Sequence, residues 1–395
     1  MDETLSSSPL GLLNWESGTL DEAARRGPVP VGEMAAPGAL PSGRMRGRLQ
    51  ALDSPARVGE EAHTRFLHVA EQGTMLRKVK GRLRVMRQGQ TLVEVQGVKL
   101  QGVVLYGNIQ VTTQCMRYLM QEGIWLSFFT RQGQYKGRIQ PPVERGGRLR
   151  LRQWELSRDL DFRMRFSRAV VRGKILAAQR MAGTMAKNRL AASLGEGHRT
   201  LREAMEKLED AATLDQLRGI EGMAARAWWD LFARWNLSEL PFEGREKRGA
   251  QDPVNLLLNF GYTMVTRELD GLVESAGLDP TIGFYHDAGD DRPALACDLV
   301  EEFRHEVVDR LVLRLINLKI IQVDDFEDDE DRGLRLGPAG MRKFLTHYEK
   351  ALRGGMEDDG IPAARRAFLG QLGRLLDAMG GEAYVSYPES AGAAA

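Results

Sequence analysis

The sequence predicts an α+β protein: a small β-sandwich-like N-terminal domain with a helix insert, followed by an all-α domain. Three observations predict it. Short runs rich in β-branched and aromatic residues recur between Phe66 and Ile139. After Pro141 and Pro142 the apolar spacing changes to the helical period for most of the remaining chain. The composition, 43% hydrophobic and 28% charged over 395 residues, supplies enough apolar material for two cores.

The elements follow in order. Residues 1–60 are rich in Gly, Pro, Ala and Ser without a sustained period, and read as a flexible tail. Residues 64–145 form the β domain, with strands at Phe66–Val69, Arg82–Arg87, Thr91–Val95, Val103–Tyr106, Ile124–Phe129 and Tyr135–Ile139. Gly89 suits a hairpin turn between the second and third of these. The helix insert spans about Thr113–Glu122, with Thr112 as its cap and Gly123 at its end. A linker around Val143–Leu151 leads to the helical domain, residues 152–385. Its helices are expected at Trp154–Leu190, at Leu214–Trp235, from a capped Asp252-Pro253 start to Gly277, and over Pro293–Lys319. Residues 386–395 read as a loose tail.

Composition narrows the function classes. The two cysteines, Cys115 and Cys297, are far apart and form no CxxC pair, so free thiols are expected. No apolar run approaches the ~20 residues of a membrane span. No signal-peptide pattern opens the chain. The expectation is a cytoplasmic protein without a membrane partner. A net charge of +1 hides an uneven distribution: residues 131–190 hold 16 Lys or Arg against 4 Asp or Glu. Such a basic segment is the footprint of a phosphate-backbone binder, or a solvated helix face. The stretch Asp324 to Asp331 is acidic almost throughout.

Polar groups at three places are not explained by apolar packing. Glu221 lies in Arg218-Gly219-Ile220-Glu221-Gly222, where small neighbours admit a close approach to the carboxylate; alternatively it pairs with Arg218 or Arg226 on a wet surface. His286 follows Gly283-Phe284-Tyr285 in a loop, where a lone His is more often a surface residue than a ligand. Asp298 and Glu301 are three apart on a helix and share a face, which repels unless a cation sits between them; an exposed acidic face is the plainer reading. Together, the His286 imidazole and the carboxylates of Glu221, Asp298 and Glu301 are the expected ligands of one divalent metal, a set that suits Mg²⁺ or Mn²⁺ better than structural Zn²⁺. With the basic segment, this points to phosphodiester chemistry.

From about residue 64 to 350 the chain resembles the CRISPR-associated spacer integrase, the "Cas-one" family. The resemblance is carried by Gly73-Thr74-Met75-Leu76-Arg77-Lys78 with Gly81-Arg82-Leu83, by Gly107-Asn108-Ile109-Gln110-Val111-Thr112-Thr113-Gln114, and by Gly123-Ile124. Arg218 through Gly222, Asp252-Pro253-Val254-Asn255, Phe260-Gly261-Tyr262, Gly283 through His286, Leu295 through Arg304 and Val308 through Leu311 follow in the family's order. Cys297 stands where many relatives carry an aliphatic residue, and the Asp324–Asp331 insert is unusual. Residues 1–60 lie outside the resemblance and lack cysteines for an iron–sulfur nuclease.

The resemblance implies an N-terminal β domain, a helical catalytic domain and a homodimer. It implies a metal held by Glu221, His286 and Glu301 with Asp298 adjacent, and assembly with a small companion adaptation subunit. The expected substrates are double-stranded DNAs, the prespacer and the repeat array, joined when each 3′-hydroxyl attacks a repeat phosphodiester. Arg245, Arg248, Arg292 and Arg304 are candidates to hold the DNA backbone, against a reading as solvated charge. The rival functions are a hydrolytic, structure-selective nuclease acting on branched DNA and a non-catalytic DNA-binding scaffold.

Overall fold

A computed structural model describes residues 65–97, 100–140, 146–185, 195–247, 250–289, 292–329, 333–353 and 364–389. The expected tail at 1–60 and Arg248 lie outside these residues.

The β domain is built on two four-stranded sheets. The first contains β1 (Arg65–Val69), β5 (Leu100–Tyr106), β7 (Trp125–Phe129) and β8 (Tyr135–Ile139), in that order across the sheet. β1, β5 and β7 run parallel and β8 returns antiparallel. The second contains β4 (Gln90–Gln96), β3 (Arg82–Arg87), β2 (Met75–Val79) and the short β6 (Gln110–Val111). β2 and β6 are absent from the strands expected above. Lys78, Arg77 and the two-residue length of β6 give weak alternation, so pairing with β3 and with each other makes them strands.

Helix α1 (Thr113–Gln121) begins where expected, with the Thr112 hydroxyl accepting from the amide of Cys115 at 3.3 Å. Its Cys115 and Leu119 join Leu76, Leu83, Val103, Leu105 and Leu126 in the core of this domain. The opposite face of the first sheet supplies Phe66, Val104, Tyr106, Trp125 and Phe129 to a second core shared with the helices.

A buried polar chain reinforces that junction. His68 of β1 bonds the Tyr106 hydroxyl at 3.0 Å and Glu349 at 2.8 Å. Arg365 bridges Glu349 at 2.7 Å and Glu268 at 2.8 Å, and the Tyr348 hydroxyl donates to Glu268 at 2.9 Å. Every charge here meets an opposite charge, which burial requires.

The expected helix over Trp154–Leu190 is two helices. α2 (Gly147–Arg158) stops at Asp159, whose extended ψ of 106° lets its carboxylate accept from the amides of Asp161 and Phe162. Asp159 thereby caps α3 (Leu160–Met185). α4 (Gly195–Glu209) and α5 (Leu214–Trp235) pack against α3. α6 (Pro253–Ser275) opens on the Asp252 cap, with the Asn255 amide donating at 2.8 Å.

The expected single helix over Pro293–Lys319 is also divided. α7 (Ala294–Val300) ends at Glu301, a wide π turn spans Arg304–Asp309, and α8 (Arg310–Asn317) continues. The acidic stretch forms part of a hairpin, β9 (Phe326–Asp329) pairing with β10 (Gly333–Leu336), while Asp325 is buried and held by Lys343. α9 (Pro338–Arg353) and α10 (Ala364–Met379) complete the helices. The tail expected to be loose from 386 is instead held as far as Glu389. Ser386 is buried, and the Tyr387 amide donates to the second carboxylate oxygen of buried Glu302 at 2.6 Å. Among the described residues, no helix is long and apolar enough to cross a membrane.

Candidate metal centre

Helix spacing turns Glu221 inward. It lies four residues after Leu217, three before Ala224 and seven before Trp228, all buried on the inner stripe of α5. Its carboxylate does not reach Arg218 or Arg226, the partners a surface reading supplied. It is ion-paired with Lys174 of α3 and accepts from the Tyr285 hydroxyl at 2.9 Å. Arg218 turns instead to Asp215 at 2.9 Å and Asp287 at 3.0 Å.

Glu301, at the end of α7, is almost wholly buried. The ammonium of Lys174 lies 2.6 Å from its Oε2, and Arg304 Nε lies 3.1 Å from the same oxygen. Two carboxylates from separate helices thus converge on one lysine ammonium. Burial works to raise both acids. Arg304, Lys174 and His286 nevertheless hold Glu301 well below the usual carboxylate range, and Lys174 holds Glu221 down likewise. Burial opposes the charge on Lys174, and Glu301 with Glu221 restores it above the ordinary lysine value.

His286 and Asp298 form the second half of the site. Asp298 Oδ2 accepts from the amides of Phe284 at 2.7 Å and Tyr285 at 3.0 Å, and Oδ1 from the amide of His286 at 2.8 Å. Oδ1 also lies 2.7 Å from His286 Nδ1. Asp298, expected among the ligands, is instead fully engaged in shaping the loop and fixing the ring, and Nε2 is the imidazole nitrogen left to face outward. Gly283 is required here, because a β-carbon would fall 2.6 Å from the His286 carbonyl and 3.0 Å from Asp298 Oδ2. The loop is clamped from outside as well. Gln153 donates to the carbonyls of Asp279 and Ile282, both at 2.7 Å, and Arg163 to that of Phe284 at 2.8 Å and to Asp287 at 2.7 Å.

The candidate DNA-binding arginines divide. Arg245 is spent within the chain, donating to Asn255 at 2.9 Å and Asn259 at 2.6 Å. Arg304 lies over the Tyr262 ring, 4.6 Å from its centre, while reaching Glu301. Arg292 is exposed. Lys247, beside Arg245, is exposed and has no ion pair among the described residues. Its ammonium is nonetheless partly shielded, and that desolvation, then the like charge of Arg304, lowers its pKa.

Sequence reasoning missed Lys174, Tyr285 and Lys247. Lys174 had a signal: it interrupts a stripe of Val170, Val171, Ala177 and Ala178, where a charge needs a partner. Two further acidic and imidazole groups near Glu301 serve the core. Glu302, pushed up to about 8 by burial, bonds Tyr384 and Gln371. His305 bonds Asp309 at 2.8 Å.

Among the described residues, no three His, Cys, Asp or Glu side chains are already gathered around one point as a metal cage. The donor chemistry nonetheless fits a hard divalent cation: two carboxylates that already meet on a positive charge, and an imidazole whose tautomer is fixed by a carboxylate.

Comparison with known proteins identifies the family. The profile of the family described as CRISPR associated protein Cas1 matches residues 67–350. A CRISPR-associated endonuclease Cas1 of Thermodesulfovibrio yellowstonii is 34% identical over 255 residues, covering 64% of this chain and 80% of that protein. Among solved structures, a Cas1 protein from Thermotoga maritima aligns with a TM-score of 0.68 at 25% identity, covering 82% of this chain and 99% of that one. A casposase bound to integration product aligns with a TM-score of 0.68 at 20% identity, covering 82% and 94%. A chain of a Cas6-RT-Cas1–Cas2 complex gives 0.70 at 22%, covering 84% and 37%. These last two share the fold. The chain belongs to the Cas1 family.

Proposed function

We propose that this protein is a metal-dependent DNA endonuclease and integrase that inserts short foreign DNA fragments into a CRISPR repeat array. The observation that carries the reading is the convergence of Glu221 and Glu301, from two helices, on a single cation beside an imidazole oriented by Asp298. The names of the relatives, CRISPR-associated endonucleases, and of a structural neighbour bound to an integration product support it.

Glu221, Glu301 and His286 through Nε2 are the groups that would hold Mg²⁺ or Mn²⁺, and Asp298 would orient His286 without ligating. Bound there, the ion would supply charge neutralisation at the scissile phosphate. The protein's own groups do the rest. The clamped loop 279–287 keeps the imidazole from turning, which preserves a site built for one geometry. Arg304 adds fixed positive charge where a phosphate gains negative charge as the incoming 3′-oxygen attaches and the repeat's 3′-oxygen departs. The proton of the attacking hydroxyl is lost to solvent and the departing oxygen takes one up, so the number of phosphodiester bonds is conserved. Arg292 and Lys247 are positioned to meet the DNA backbone from solvent.

The working assembly would be a cytoplasmic homodimer joined to a small companion subunit; the name of the Cas1–Cas2 complex that shares the fold supports the companion. The test is an incubation of purified protein with 3′-hydroxyl duplexes and a repeat-bearing plasmid, with manganese or magnesium supplied or chelated. Joined strands are expected with either ion, and none with Glu221→Ala or His286→Ala although DNA binding persists. Strands that are only shortened would mean hydrolysis on branched DNA. Undiminished joining in either variant would defeat the assignment.

A further inference from the structure

We propose that Lys174 is a resident counter-ion that occupies the place of the divalent cation between Glu221 and Glu301, and that it makes metal binding weak until a phosphate arrives. This rests on the metal-binding reading above and concerns how that site is loaded.

Charge and geometry both point this way. The Lys174 ammonium lies 2.6 Å from Glu301 Oε2 and is ion-paired with Glu221 as well, so it fills the position where the two carboxylates meet. Arg304 contributes a second fixed cation at 3.1 Å from the same Oε2. The two carboxylates that meet there are therefore matched by two cations. A divalent ion entering alone would leave a surplus of positive charge beside these cations in a largely buried site, which is unfavourable. A phosphodiester entering with it lowers the surplus, and the transition state lowers it further.

Only one of the two resident cations is free to move. Arg304 is pinned over the Tyr262 ring, 4.6 Å from its centre. The α3 backbone beneath Lys174 is fixed too. Gly173 packs so closely on the C-terminal segment that a β-carbon there would stand 2.7 Å from the Ser386 β-carbon. The lysine side chain, with its four-carbon stem, is the part that can swing aside. In the absence of metal the ammonium keeps two acidic side chains together that would otherwise repel. Lys174 is thus a positioning residue that couples metal uptake to substrate.

The experiment measures Mn²⁺ affinity by electron paramagnetic resonance, without DNA, for the wild type, Lys174→Met, Lys174→Gln and Glu221→Ala. Thermal unfolding with and without Mn²⁺ runs alongside. Removal of the ammonium is expected to tighten Mn²⁺ binding at least about tenfold in both Lys174 variants. The metal-free variants should unfold several degrees below the wild type, with Mn²⁺ recovering most of the loss. A 3′-hydroxyl duplex should tighten Mn²⁺ binding by the wild type more than by the variants. Equal or weaker Mn²⁺ binding by folded Lys174→Gln overturns the inference, because the lysine then organises the carboxylates without competing. If neither the wild type nor the Lys174 variants bind Mn²⁺ in a manner lost in Glu221→Ala, the metal reading itself fails.

Discussion

His286 and Asp298 are joined twice: one carboxylate oxygen, Oδ1, receives the backbone amide of His286 at 2.8 Å and faces its ring nitrogen Nδ1 at 2.7 Å. The same residue is thus fixed in backbone and in ring by a single fully buried acid. Asp298→Asn should expose the difference between an orienting group and a ligand. One oxygen becomes an NH₂ that faces donors and cannot accept. Mn²⁺ binding should weaken by about 10–100-fold, the scale of losing an outer partner of a ligating imidazole, while His286→Ala loses more. Titration of Mn²⁺ into both variants checks it, and equal losses would make Asp298 a ligand.

The arginines should separate by assay. Arg292 is exposed, so Arg292→Ala should weaken DNA binding, lower the salt dependence by about one charge and leave the unfolding temperature unchanged. Arg245 is committed to Asn255 and Asn259, and Arg245→Ala should cost about 1–3 kcal/mol of stability by removing both bonds, Asn255 keeping the Glu246 amide while Asn259 Oδ1 loses this donor. DNA titrations over a range of salt, paired with denaturation of each variant, decide between the two roles.

The buried chain from His68 to Arg365 predicts an acid-sensitive junction. Burial works against the charge on Glu349, but Arg365 and His68 hold its carboxyl well below the ordinary value of 4.5. A carboxylate depressed in the folded state contributes stability above its unfolded value, and that contribution is lost as pH falls below 4.5 toward the folded value. Glu349→Gln should cost on the order of 2–3 kcal/mol at neutral pH, since Arg365 keeps Glu268. The gap between wild type and variant should narrow as the pH of the denaturation series drops below 4.5. A gap independent of pH would refute it.

Burial pushes the thiols of Cys115 and Cys297 up to about 11. Both should react with iodoacetamide at neutral pH at least about tenfold more slowly in the folded protein than after unfolding, because the thiolate is the nucleophile. Mass-spectrometric timing of alkylation at each site is the check. Rapid native labelling of Cys297 would show a different environment.

Much of the fold was legible because local signals and tertiary packing agree. Leu214–Trp235 carries a strong helical stripe and Asp252-Pro253 a capped start, and both helices stand where those features place them. Two expectations failed where periodicity alone was followed. Asp159 and the π turn after Glu301 interrupt apolar stripes that continue across them, and a side-chain cap and a change of backbone pitch leave little trace in such a pattern. In the site, Glu221, His286, Asp298 and Glu301 could be singled out as polar groups at unexpected places. Lys174 could not be matched to them, because nothing local to α3 says which buried carboxylates it meets. The division of Asp298 from the other acids was equally hidden: it depends on three loop amides that become donors only once residues 284–286 fold back over α7.

The wide turn at Arg304–Asp309 has a consequence for how this chain tolerates change. A helix advances by about 100° per residue, so removing one residue there would swing everything upstream around the axis by nearly a third of a revolution. Glu301 would leave Lys174 while Val307 and Leu311 kept their places in the core. A point substitution at half-buried Glu306 should therefore be absorbed, whereas a single-codon deletion would carry Leu295, Leu299 and Phe303 out of the core together with Glu301 and cost stability as well as the site: chain length here matters more than the identity of that one residue.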